Sequence, residues 1–204
     1  MLFQEPETEK QTLDRLCGGA GHIIDMFRHY FSTPQGVDLR RALVFTAALA
    51  GHACHRAVKA EKGTFAVVTD KNGKNYYFGD DLNRYLLENS MSVAGFCIAV
   101  TGLTRGDVRA AVRKCANEIG NRDYTVCGYD PGALYQEVSD CWDGIFDNMT
   151  AQYCKTPSEW PVLYGIVLQN CLMNAPDAGA PEEEAGRIAL ESAVYMSKLD
   201  RDSF

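Results

Sequence analysis

A chain of 204 residues, 46% hydrophobic and 23% charged, can bury a core without metal or disulfide staples, and one domain over residues 1–204 is expected. No stretch approaches the ~18 continuous apolar residues of a membrane span. A formal net charge of −7 opposes both a nucleic-acid backbone and an anionic membrane surface, so neither is an expected partner. The acidic start MLFQEPETEK lacks the basic and apolar regions of a secretory signal, and a soluble, cytoplasmic protein is expected.

Thr8 and Gln11 have the spacing of a capping box, and Leu13, Leu16, Cys17, Ala20, Ile23, Ile24, Phe27 and Phe31 then recur at helical intervals, predicting a helix over about 9–31. Ser32 to Val37 is a turn. Asp38 can cap a second helix to about Lys62, closed by Gly63, and its middle, Ala42 to Ala50, is apolar on nearly every side, as in a central helix.

The period then changes. TFAVVTD and NYYFG flank Asn72-Gly73, the signature of a β-hairpin over about 64–78. A two-residue turn pairing Lys71 with Lys74 places Phe65, Val67 and Thr69 on one face with Tyr76 and Phe78, and Ala66, Val68 and Tyr77 on the other. Neither face is polar, and an isolated hairpin is marginal in water, so this one needs a helix, a third strand or another copy. Tyr124 to Gly128 is the internal candidate for a third strand.

From Asp81 a helix can run to about Gly102, although a break near Asn89-Ser90 is equally compatible with the pattern. Thr104 and Asp107 make a second capping box for a helix closed at Gly120, with Val108, Ala111, Val112, Cys115 and Ile119 inward. Asp130-Pro131 opens a helix to about Gln152, with Leu134, Val138, Cys141, Ile145 and Met149 inward. Thr156 to Glu159 opens another to about Met173, residues 174–181 form a loop, and a last helix runs from Glu182 to about Leu199 before a frayed tail. The expected fold is mainly α (α+β), about seven helices in a bundle-like or orthogonal packing with an inserted hairpin.

The eight cysteines are scattered singly with no CxxC pair, and reduced core thiols are expected, with Cys17, Cys115 and Cys141 at small buried positions. His52 and His55 share a helix face, and a divalent metal is the chemistry that pair suggests, but two nitrogens do not complete a site. His22 and His29 lie on the polar side of the first helix. Asp140, Asp143 and Asp147 fall on one helix face at a spacing suited to Mg²⁺, which a solvated acidic ridge explains equally. Arg105, Arg109 and Arg113 stack at four-residue intervals as a cationic ridge that an anionic partner would fit. There is no GxSxG elbow, Walker loop or GxGxxG, and Cys54 and His55, adjacent on a helix, point apart.

With no convergent catalytic set, the sequence favours a non-catalytic binding protein with no cofactor. A surface of Val68, Tyr76, Tyr77, Phe78 and Tyr85 is the expected interface for a protein partner or a second copy as a homodimer. The alternative is a helical metal-dependent hydrolase or lyase using the histidine or aspartate cluster.

Overall fold

The computed structural model describes residues 7–176 and 180–204, so the middle of the loop predicted over 174–181 lies outside the described residues. The molecule is mainly α with small antiparallel sheets, as the periodicity predicts. Helix α1 (Glu9–Tyr30) starts at the Thr8/Gln11 capping box, and α2 (Leu39–Ala60) starts where the Asp38 side chain accepts the Arg41 amide. The turn between them is a miniature hairpin, β1 (Ser32–Thr33) paired with β2 (Gly36–Val37). The predicted hairpin is β3 (Ala66–Thr69) with β4 (Asn75–Phe78).

The helix predicted from Asp81 breaks into α3 (Asp80–Leu86) and α4 (Val93–Thr101). Side chains compete with the helix there: Asn89 Oδ1 accepts the Met91 amide at 2.8 Å, and Ser92 caps α4 by accepting the Gly95 amide at 3.1 Å. Helix α5 (Arg105–Asn117) follows the second capping box. The Asp130-Pro131 helix is interrupted as α6 (Pro131–Cys141), a π turn over Trp142–Phe146, and α7 (Asp147–Tyr153). The wide turn lets Trp142 and Phe146 both face the core and rotates Ile145 outward to 49% exposure, correcting its predicted inward place. A 3₁₀ turn, Pro157–Glu159, leads into α8 (Trp160–Met173), and α9 (Glu182–Met196) precedes a C-terminal 3₁₀ turn, Arg201–Ser203.

The proposed third strand is not one. Tyr124 to Gly128 makes only a local bridge between Val126 and Tyr129, because Val126 is fully buried and the Tyr124 hydroxyl reaches Glu191 of α9 at 2.8 Å. The tail is not frayed either: Asp200 and Ser203 cap each other across it, and Ser203 is buried.

Helix α2 is the axis of the molecule, buried without interruption from Ala42 to His55, and it packs chiefly on α9 and α8. Its small residues set the separation. A β-carbon at Gly51 would collide with the carbonyl oxygen of Ala193 in α9. Gly51→Ala is therefore expected to destabilise the fold by about 1–3 kcal/mol through overpacking. Urea unfolding of the variant checks this, and an unchanged midpoint would contradict so close a contact.

Candidate functional site

The tip of the β3–β4 hairpin sets its register. Asp70 Oδ1 accepts the amides of Asn72 and Lys74 at 2.8 and 3.0 Å, the Gly73 amide donates to the Asp70 carbonyl, and Gly73 has φ +83°. These contacts make a three-residue loop closed by Asp70 and Lys74, with glycine in the left-handed position. The amides that Asp70 accepts, Lys74 foremost, hold its carboxyl below the ordinary range. The two-residue turn expected from Asn72-Gly73 is thus corrected, and the pairing moves by one residue to Val67 opposite Tyr77 and Val68 opposite Tyr76. Val67 consequently shares a face with Tyr77, and Val68 with Tyr76 and Phe78.

The two edges of this sheet differ. On the β4 side the Tyr77 amide donates to the Lys198 carbonyl at 2.9 Å, the Ser203 hydroxyl donates to the Asn75 carbonyl, and Asp202 accepts from the Asn75 amide group and the Tyr77 hydroxyl. The C-terminal tail thereby occupies that edge. On the β3 side all four residues are exposed, Val67 to 51% and Val68 to 48%. Because the Tyr77 amide points away from β3, Val67 and Tyr77 form a non-hydrogen-bonded pair, and the backbone groups of Val67 and Thr69 point outward. Among the described residues neither outward amide has a partner.

The aromatic residues expected at an interface lie on β4, beside this strand, and on α3. Tyr76 is 5% exposed and belongs to the core, a correction to its expected surface position. Tyr77 meets the His55 ring edge-on at 5.0 Å, Phe78 lies under the Lys198 ammonium, and the Tyr85 hydroxyl donates to Glu61 while Arg84 stacks on its ring. Of the expected interface residues, Val68 is the one that stands open.

The histidine pair splits between two surroundings. The His55 Nδ1–H donates to the Ser197 carbonyl at 3.1 Å, its ring stacks on Phe65, and Nε2 lies 3.5 Å from Asp200 Oδ2, an ion-pair distance without hydrogen-bond geometry. Lys59 also pairs with Asp200, and the Tyr135 hydroxyl donates to it at 3.4 Å. Burial pushes the Asp200 carboxyl up, but His55, Lys59 and the Arg201 amide outweigh it and hold the carboxyl far below the ordinary range. His52 instead sits between Tyr135 and Trp142, with neither ring nitrogen hydrogen-bonded, and burial first, then the charges of its own helix, lower its pKa to about 3.

The other predicted clusters are not brought together. His22 is exposed and hydrogen-bonded to the Tyr153 hydroxyl, and His29 is exposed. The aspartates expected on one helix face fall in α6, the π turn and α7 and are engaged separately: Asp140 accepts from Gln136, Asp143 pairs with Arg201 at 2.9 Å and Arg56 at 3.6 Å, and Asp147 is exposed. Among the described residues no three His, Cys, Asp or Glu side chains are grouped to hold a metal ion. All eight cysteines are free; Cys54, Cys97 and Cys115 are buried, whereas Cys17 is exposed on α1 rather than in the core. Arg105, Arg109 and Arg113 do form one exposed stripe and border a groove of about 380 Å³.

Sequence reasoning missed Val67, Thr69 and Lys198. The signal for the first two was the spacing Asp70-Lys-Asn-Gly73, which suits a type I turn with aspartate first as well as it suits the shorter loop. Comparisons with family models, curated proteins and solved structures return no match. No helix of the described residues is long and apolar enough to cross a membrane.

Two buried groups give pH signatures. The pKa of Lys198, 5% exposed over Phe78, is lowered to about 8 by burial. Below that pH the folded state carries a desolvated cation, and as pH rises through 8 toward 10.5 it sheds the proton before the unfolded chain does. Lys198→Met is expected to stabilise the fold by about 1–3 kcal/mol at pH 7, with the advantage shrinking by pH 10 in urea titrations. His52 has the opposite sense: the unfolded chain takes up its proton near pH 6.5 and the folded state only near 3, so stability falls with acidification across that window. In His52→Phe the slope of unfolding free energy between pH 6 and 4 should flatten by about one proton, roughly 1.4 kcal/mol per pH unit. Parallel slopes for variant and parent would refute a neutral buried imidazole.

Proposed function

We propose that the chain is a non-catalytic interaction protein that self-associates through the β3 edge into a dimer with one sheet running across both copies. The observation that carries this reading is the pair of outward, unpartnered backbone positions, Val67 and Thr69, on a strand exposed along its whole length. Such an edge is self-complementary. In antiparallel pairing about Val68, Val67 exchanges two hydrogen bonds with Thr69 of the second copy, Thr69 does the same with Val67, and the two Val68 side chains meet at the two-fold axis. Apolar valines there, in place of the lysines that commonly guard open edges, favour pairing over protection.

The non-catalytic part of the proposal is supported by how the polar clusters are used. Asp200, His55 and Lys59 hold the tail, and Asp143 is engaged by two arginines. Four residues of strand bury less than the ~1,600 Å² of a standard interface, so association should be reversible, with a dissociation constant on the order of 10 μM.

Light scattering coupled to size exclusion, run from 1 to 200 μM, tests the reading. Val67→Pro removes an outward N–H that the hairpin does not use, and Val68→Lys places like charges at the axis. Both are expected to stay monomeric at concentrations where the parent dimerises, with unchanged circular dichroism. A parent that remains monomeric at 200 μM, or variants that dimerise as it does, would sink the proposal.

A further inference from the structure

The arginine stripe of α5 is conspicuous for what it lacks. The chain carries 27 acidic against 20 basic residues, and Arg15, Arg28, Arg41, Arg56, Arg84, Arg187 and Arg201 each sit against a carboxylate. Arg105, Arg109 and Arg113 are exposed and, among the described residues, have no ion pair and no side-chain hydrogen bond. On a molecule rich in acids, three neighbouring guanidinium groups left open make a local positive strip against the overall field.

The strip borders a groove with an apolar floor. Leu87, Ile98, Val108 and Val112 line it beside the three arginines, with Glu88 the single acid, and the groove holds about 380 Å³. Residues four apart on a helix rise about 6 Å, so the guanidinium groups are spread over roughly 12 Å. A lone phosphate or carboxylate would engage one or two of them. A helix lying alongside has the same repeat, and carboxylates at i, i+4 and i+8 would meet all three arginines while apolar residues between them enter the groove.

We infer that this groove is a docking site for an acidic amphipathic helix of a partner protein. Guanidinium groups suit the role because they pair with carboxylates through two parallel hydrogen bonds and are only weakly hydrated. The concave, apolar floor favours a helix, which can bury apolar side chains there, over a membrane surface or a nucleic acid. The site is independent of the β3 edge, since none of its lining residues belongs to the hairpin.

The probe is a fluorescein-labelled, end-capped 18-residue peptide with glutamates at i, i+4 and i+8, leucines at i+3, i+7 and i+11, and alanine and glutamine elsewhere. Its control has the same composition, scrambled so that the glutamates and leucines share no face. Fluorescence anisotropy at 50 mM salt should give saturable, micromolar binding of the first peptide, at least tenfold weaker binding of the scrambled one, and clear weakening at 300 mM salt. The triple variant R105E/R109E/R113E should lose at least tenfold, Arg109→Gln alone about threefold to tenfold, and the distant Arg28→Glu nothing. The inference is overturned if no binding saturates by 500 μM, if the scrambled peptide binds equally, or if charge reversal leaves binding unchanged. Tighter arginine-dependent binding to phosphatidylserine vesicles or to a single-stranded RNA 12-mer than to the peptide would overturn it as well.

Discussion

A helix surrounded by other helices can expose no polar face, and its neighbours approach only as closely as its side chains permit. Between Ala42 and Ala57, α2 meets that demand with six alanines and a glycine, the latter placed where the backbone of α9 passes at Ala193. Larger side chains are confined to short stretches, such as Phe45, which joins a cluster of edge-on rings with Phe27 of α1 and Phe31 at its C-terminal cap. The positions of α8 and α9, and of the hairpin beyond them, follow from how narrow α2 is.

The last turns of α2 connect that core to the surface. His55 and Lys59 hold Asp200, while the tail gives its Lys198 carbonyl and Ser203 hydroxyl to β4, so the hairpin rests on a segment that α2 positions. The link explains how a hairpin of two four-residue strands, marginal alone, is ordered here without a third strand of its own. It also explains the weighting of polar groups near the C-terminus: most of the ionisable side chains converging there have found each other, while His52, one turn back, is enclosed by aromatic rings and stays neutral.

The helices were legible because their caps are local. Thr8/Gln11, Asp38, Thr104/Asp107 and Asp130-Pro131 each act within four residues, and the structure places a helix start at every one. The misreadings arose where a local pattern admits two geometries. Asn72-Gly73 fits both a two-residue and a three-residue loop, and the contacts that decide between them are made by Asp70, outside the dipeptide. The π turn was invisible because the stripe from Leu134 to Met149 reads as a regular helix until Trp142 and Phe146 are both required in one core. The tail carries no apolar period at all; its order comes from Asn75, Tyr77 and His55, far away in the chain. Of the candidate sites, the arginine stripe follows from helical spacing alone. The open strand edge depended on register and could not be assigned before the fold was known.

The tail's seat on β4 bears on how far association can proceed. A hairpin with two open edges can accept a neighbour on each side, and every neighbour then offers a fresh edge, the geometry of an unbounded ribbon. With Lys198 to Ser203 seated on the β4 side, the hairpin keeps its β3 edge open, and the proposed pairing of two copies through that edge would leave no open edge on the sheet. In the proposed pair the segment from Lys198 to Ser203, attached through Asp200, would act as the terminator that separates a closed pair from the first step of a fibre.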